Sequence, residues 1–157
     1  MVERVADTRH PVQSAAAVVG AVFLLVGVFG FIPGLTTNYA RMAFAGHHSE
    51  ALLLGLFQVS VLHNLVHLAF GAAGVAMART VSGARTYLVW GGVVYAVLWL
   101  YGMVIPHGGA ANFVPVNWPD NWLHLGLAVG MIGLGVGLGR RDGYGGRAVG
   151  TGVSRRG

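Results

Sequence analysis

The chain reads as an all-α, polytopic membrane protein whose four transmembrane helices form a bundle. Three observations predict this. Of its 157 residues, 55% are apolar and only 10% charged, where a soluble domain carries roughly a quarter charged. Four apolar runs are each long enough to cross roughly 30 Å of hydrocarbon. Almost all of the arginines lie outside those runs, at the termini and in one of the three links, which is how charge sets membrane topology.

Composition also excludes whole classes of chemistry. There is no Cys, so disulfides, thiolate metal sites and thiol redox steps are ruled out. Glycine is abundant, at 26 residues, but has no collagen period. Most of it falls within the apolar runs, where small residues let helices approach closely. The formal charge of +5 does not point to nucleic acid. The arginines flank apolar runs instead of covering a folded polar face, and they suit topology and anionic lipid head groups.

Residues 1–11 are a polar leader carrying Arg4 and Arg9. The apolar run 12–32 stops at Pro33-Gly34. It outlasts the roughly 7–15 apolar residues of a signal peptide and no small-residue cleavage site follows, so it is the first helix. Residues 35–49 form a polar loop with Arg41, His47 and His48. Ser49 is placed as an N-cap with Glu50 in the first turn. The second helix is then 51–78, longer than one span needs and so tilted or projecting. The short link from Arg79 to Arg85 predicts an antiparallel hairpin. A third helix at 87–105 ends at Pro106. Residues 107–118 are a second long loop. Asn117 caps a fourth helix at 119–139, with Pro119 and Asp120 in its first turn, and Trp118 and Trp122 mark the membrane interface. Residues 140–157, Gly and Arg with little to bury, are expected to be a disordered tail.

Orientation follows from charge. The leader, the 79–85 link and the tail hold Arg4, Arg9, Arg79, Arg85, Arg140, Arg141, Arg147, Arg155 and Arg156, whereas the other two loops hold only Arg41. Both termini are expected to be cytoplasmic. An internal repeat of two helical hairpins is one account of a gapless match between 62–79 and 123–140. It pairs Leu62, His63, Gly74, Val75 and Arg79 with Leu123, His124, Gly135, Val136 and Arg140. Chance in Gly-rich apolar text is the other account.

Polar side chains inside apolar runs need a reason. His63, Asn64 and His67 lie in the second helix, with His63 and His67 one turn apart on one face. Ser60 lies one turn before them. His63 precedes Arg79 by the same spacing as His124 precedes Arg140, which sets both imidazoles roughly 24 Å from the cytoplasmic interface. His63, His67 and His124 are therefore the candidate ligands for a haem or a transition metal. Asp120, one turn before His124, is placed to orient that ring. Ser60, Asn64, Asp120 and Asn121 complete a polar cluster between the second and fourth helices. His47, His48, Glu50 and His107 are candidates in the outer loops. The bland account is that the cluster hydrogen-bonds across helices and holds them together. Ser60 beside His63 and His67 could be drawn as a nucleophile and base, but no orienting acid or oxyanion donor accompanies them. Gly126, Gly130, Gly133 and Gly137 form a small-residue stripe on the fourth helix, expected to pack within the bundle or between copies. Ala16, Gly20 and Gly27 do similar work on the first. Tyr95, Trp99 and Tyr101 are expected as core and interface aromatics.

Several phrases resemble a bacterial family of small four-span membrane proteins known only as a domain of unknown function. They are PVQ at 11–13, GFIPG at 30–34, LLGLFQVSVLHNLVHLAFG at 53–71, and NFVPVN followed by DNWLH within 112–124. The resemblance implies a four-helix bundle, multi-pass in a bacterial cytoplasmic (inner) membrane. It implies no activity, substrate or cofactor. It marks His63, Asn64, His67, Asn112, Asn117, Asp120, Asn121 and His124 as positions to test.

Three functions are compatible with these readings. The first is a non-enzymatic membrane module or accessory subunit, in contact with the bilayer and assembled with itself or with a larger membrane complex. The second is a metal- or haem-binding redox protein using His63 and His124. The third is a conduit for protons or a small solute.

Overall fold

Small residues decide how the helices meet. The computed structural model describes residues 9–144, without the side chains of 139–144. Expectations for the leader before residue 9 and the tail beyond 144 lie outside the described residues. Among the described residues there are four α-helices: α1 (Pro11–Phe29), α2 (Val61–Met77), α3 (Val81–Val104) and α4 (Trp118–Tyr144). α1 packs chiefly on α2, and α3 on α4, so the molecule is two helical hairpins joined along a seam.

The first hairpin closes through glycine. A Cβ on Gly71 would stand 2.6 Å from the Leu24 backbone nitrogen, and one on Gly20 would stand 2.8 Å from that of Val75. Each hairpin also places a glycine against an asparagine. A Cβ on Gly30 would collide with the Asn64 carboxamide, and one on Gly102 with that of Asn121. The stripe of Gly126, Gly130, Gly133 and Gly137 is different: nothing lies within 4 Å of a Cβ built on any of them. The expectation that this stripe packs within the chain is therefore corrected, because its face of α4 points away from every described element. Gly135 is the α4 glycine that meets α3, through Leu88 and Val89.

Three helical segments, Pro11–Phe29, Val81–Val104 and Trp118–Leu138, are long and apolar enough to cross a membrane. Their outward surfaces are apolar, with Val18, Val97 and Val129 all largely exposed. α2 is apolar but shorter, at 17 residues, roughly 25 Å long.

The largest departure from expectation is at 51–60, which is not helical. Leu52–Leu53 (β2) pairs antiparallel with Thr36–Thr37 (β1) on one side and with Phe57–Gln58 (β3) on the other. Leu54 and Gly55 turn the chain with positive φ values of 54° and 69°, the left-handed region that favours glycine. Ser49 does not cap a helix: its Oγ is buried, accepts from Ala43 N and donates to Val59 O. Ser60 caps α2 instead, accepting from the His63 backbone N–H at 3.1 Å. The other ends shift less. α3 begins at Val81 because Thr80 accepts from Gly83 N, and α4 continues to Tyr144, beyond the expected end at 139. The segments 30–60 and 105–117 form a cap over one end of the helices, joined by Gly46 N donating to Phe113 O.

If the hairpin contact sets stability, Gly71→Ala lowers the unfolding free energy by about 1–3 kcal/mol, the cost of overpacking. Gly130→Ala, on the open stripe, does not lower it and raises it by up to about 1 kcal/mol, the helix preference of Ala over Gly. Thermal unfolding of the purified protein in detergent distinguishes the two.

Candidate functional site

The first turns of α2 and α4 both start at the cap, so the polar residues they carry gather beneath it. Ser60 fixes the start of α2 and Asn117 that of α4. Asn117 accepts from Asp120 N (3.0 Å) while Asp120 accepts from Asn117 N (2.9 Å), a reciprocal cap. His63, Asn64, Asp120, Asn121 and His124 are all buried.

The imidazoles belong to a chain of rings that crosses the seam. His63 and His67 have centroids 4.6 Å apart, and His67 lies 5.7 Å from Phe23 of α1. Phe23 stacks on Tyr95 of α3 at 5.4 Å, and Tyr95 lies 5.3 Å from His124. Phe70 sits edge-on to both Phe23 and Tyr95. This apolar packing explains why the imidazoles hold fixed positions. His63 donates its Nδ1–H to the Pro115 carbonyl at 3.1 Å, which leaves Nε2 as the basic nitrogen of that ring. His67 Nδ1 and His124 Nδ1 are buried with no hydrogen-bond partner, as are Asn64 Oδ1 and both polar atoms of the Asn121 carboxamide. A buried polar atom left unpaired costs roughly 1–3 kcal/mol.

Two cavities share this wall of rings. One, of about 230 Å3, is bounded by His63, His67, His124, Tyr95 and the 111–116 segment. The other, of about 170 Å3, has the same three histidines, with Phe23 and Val26 of α1, Leu127 of α4 and Asp120. Both are otherwise mainly apolar. Among the described residues, no group of three or more His, Asp or Glu side chains is arranged to hold a metal ion.

The remaining candidates build the cap. Asp120 does not orient His124, as its position one turn away suggested: its Oδ2 accepts from Gln58 N at 3.0 Å as well as from Asn117 N. Ser60 is the α2 cap and not a nucleophile beside a base. Asn112 donates to His107 O and Val116 O and accepts from Val116 N, holding the second loop closed. Asn117 also donates to Leu56 O at 2.8 Å. His107 donates to Gly102 O at 2.9 Å and meets Trp118 edge-on. His47 and His48 lie ring against ring at 3.8 Å, and Glu50 pairs with Arg41 at the surface. None of these four outer-loop candidates joins His63, His67 and His124. Phe23, Gln58 and Pro115 were missed by sequence reasoning, because an apolar residue or a backbone group carries no mark of its neighbour. Gly30 and Gly102 had a signal, since each lies just before an Ile-Pro pair that ends its helix.

The family described as a domain of unknown function, DUF4383, matches residues 13–137, and the chain belongs to it. No curated protein and no solved structure matches.

Replacing Asp120 by Ala strands the Gln58 and Asn117 amides and should cost about 1–3 kcal/mol. Hydrogen exchange should speed up at residues 57–59 while the middle of α3 stays protected. Asp120→Asn, which keeps an acceptor oxygen, should have a smaller effect.

Proposed function

We propose that this family member is a non-enzymatic, four-helix membrane module. It holds a small, largely apolar molecule against its imidazole wall, beneath a rigid cap on the outer face, with both termini in the cytoplasm. The observation that carries the reading is that His63, His67 and His124 together line two apolar cavities. A cluster that served only to hold the helices together would pair its rings across them, and His67 Nδ1 and His124 Nδ1 have no such partner. A bound hydroxyl or carbonyl group can hydrogen-bond to an imidazole on that wall, and an apolar ring fills the space beside Phe23 or Tyr95.

Other features favour this over the remaining functions. The two volumes suit a molecule of one or two rings and are small for a porphyrin. Below the imidazoles the core is filled by Phe70, Tyr87, Leu88 and Met131, which speaks against a water path to the far end. Ser60 lies in the helix cap, where its Oγ receives the His63 backbone N–H. The four spans include α2, whose length is at the lower limit for crossing a bilayer. The apolar exterior makes the lipid bilayer the module's first partner, and the open glycine stripe on α4 offers a face for a second copy or a larger complex.

A neutral bicyclic phenol, 2-naphthol, tests the reading. At ten times its dissociation constant it should add about 1.4 kcal/mol of stability, a rise in Tm of about 3–5 °C for a chain of this size. His67→Leu and His124→Leu should abolish that rise while still eluting as folded protein. No rise in the unaltered protein, or the same rise in both variants, would contradict the reading.

A further inference from the structure

The opposite end of the molecule carries a third cavity, of different chemistry. It has a volume of about 580 Å3 and lies where α1 begins and α2 ends. Arg9, His10 and Gln13 come to it from the start of α1, and Arg79 from just beyond α2. Val75 and Ala17 make its lower wall apolar.

The polar part of this wall supplies donors and positive charge. Arg9 and Arg79 arrive from separate elements, and among the described residues neither is paired with a carboxylate; the ion pair found there is Arg41 with Glu50, at the cap. Among the described residues, no Asp or Glu lines the cavity. Gln13 holds the two helices in register here. Its Oε1 accepts from His10 N and its Nε2 donates to Ala78 O, both at 3.1 Å, and Nε2 retains a second hydrogen to donate. The first-turn amides of α1 are not what the site rests on, because Gln13 N and Ser14 N already bond to His10 O.

We propose that this cavity binds a phosphate group between the Arg9 and Arg79 guanidinium groups, with Gln13 as an added donor. A guanidinium presents a planar fork of N–H groups that matches phosphate oxygens. The same chemistry is offered by a phospholipid head group and by free phosphate. The apolar lower wall, continuous with exposed Val18 and Val75, suits an acyl chain leaving the head group along α1 and α2.

The test uses the full chain in lipid nanodiscs, with Arg9→Gln/Arg79→Gln as the altered form. Arg79→Gln alone serves if the double variant does not elute as folded protein. Arg85→Gln is the control, since Arg85 opens α3 at the same end but outside this cavity. In the first arm, nanodiscs contain equal phosphatidylglycerol and phosphatidylcholine, and native mass spectrometry counts retained lipid. A head-group site retains one phosphatidylglycerol per chain, with retention falling at least tenfold in the double variant and unchanged in Arg85→Gln. In the second arm, phosphatidylcholine nanodiscs are titrated with inorganic phosphate. A soluble-anion site gives saturable thermal stabilisation that the double variant loses. The proposal is overturned if neither arm shows saturable binding, or if Arg85→Gln weakens binding as much as the cavity variants do.

Discussion

The structure depends on one contact across the seam: the Phe23 ring stacked on Tyr95 at 5.4 Å. Within each hairpin, close helix packing holds the two helices together. Between hairpins that closeness is missing, and the rings bridge the gap. Phe23 brings His67 and His63 with it from one hairpin, and Tyr95 brings His124 from the other. The imidazole wall exists because the two hairpins meet there through rings, for which Gly74 and Gly91 leave room beside Tyr87 and Phe70. The same looser seam leaves the space on either side of the wall. Backbone-close packing within each hairpin and ring packing between them both follow from where the small residues lie.

The cap supplies the second constraint. Backbone groups at the starts of α2 and α4 would be unpaired without it. Ser60, Asn117 and Asp120 satisfy them, and Gln58, Pro115 and Leu56 connect those caps to the loops. The polar residues therefore divide by hydrogen bonding into two groups. Asp120, Asn112, Asn117 and Ser60 are committed to the cap. His67, His124, Asn64 and Asn121 keep atoms unpaired inside. The proposed ligand site uses His67 and His124 from the second group, which line the cavities, whereas Asn64 and Asn121 lie against Gly30 and Gly102.

Much of this was legible in the chain. The three long apolar helices and the Asn117 cap followed from hydrophobic run length and capping chemistry, whereas the hairpin expected across the 79–85 link does not form, because α2 packs chiefly on α1 and α3 on α4. The spacing of His63 and His124 pointed to a shared position, and both line the same two cavities. What failed did so for physical reasons. Residues 51–60 are as apolar as a membrane helix, and their strand pairing depends on Thr36 and Thr37, far away in sequence; only Gly55 and Gln58 hinted at a turn. The α4 glycine stripe looks the same in sequence whether it meets a neighbour or faces outward. Asp120 lies on the His124 face, but the Gln58 amide, which no spacing rule reveals, takes its carboxylate. The Phe23–Tyr95 stack was invisible for the same reason.

The most direct measurement is ring-to-ring correlation by magic-angle-spinning NMR, on protein labelled at Phe, Tyr and His and held in lipid bilayers. Cross-peaks from Phe23 to Tyr95, and from Tyr95 to His124, are expected at these separations. A spectrum in which Phe23 correlates with Phe70 and His67 but not with Tyr95 would mean that the hairpins do not meet through these rings, and the shared imidazole wall would fall with them.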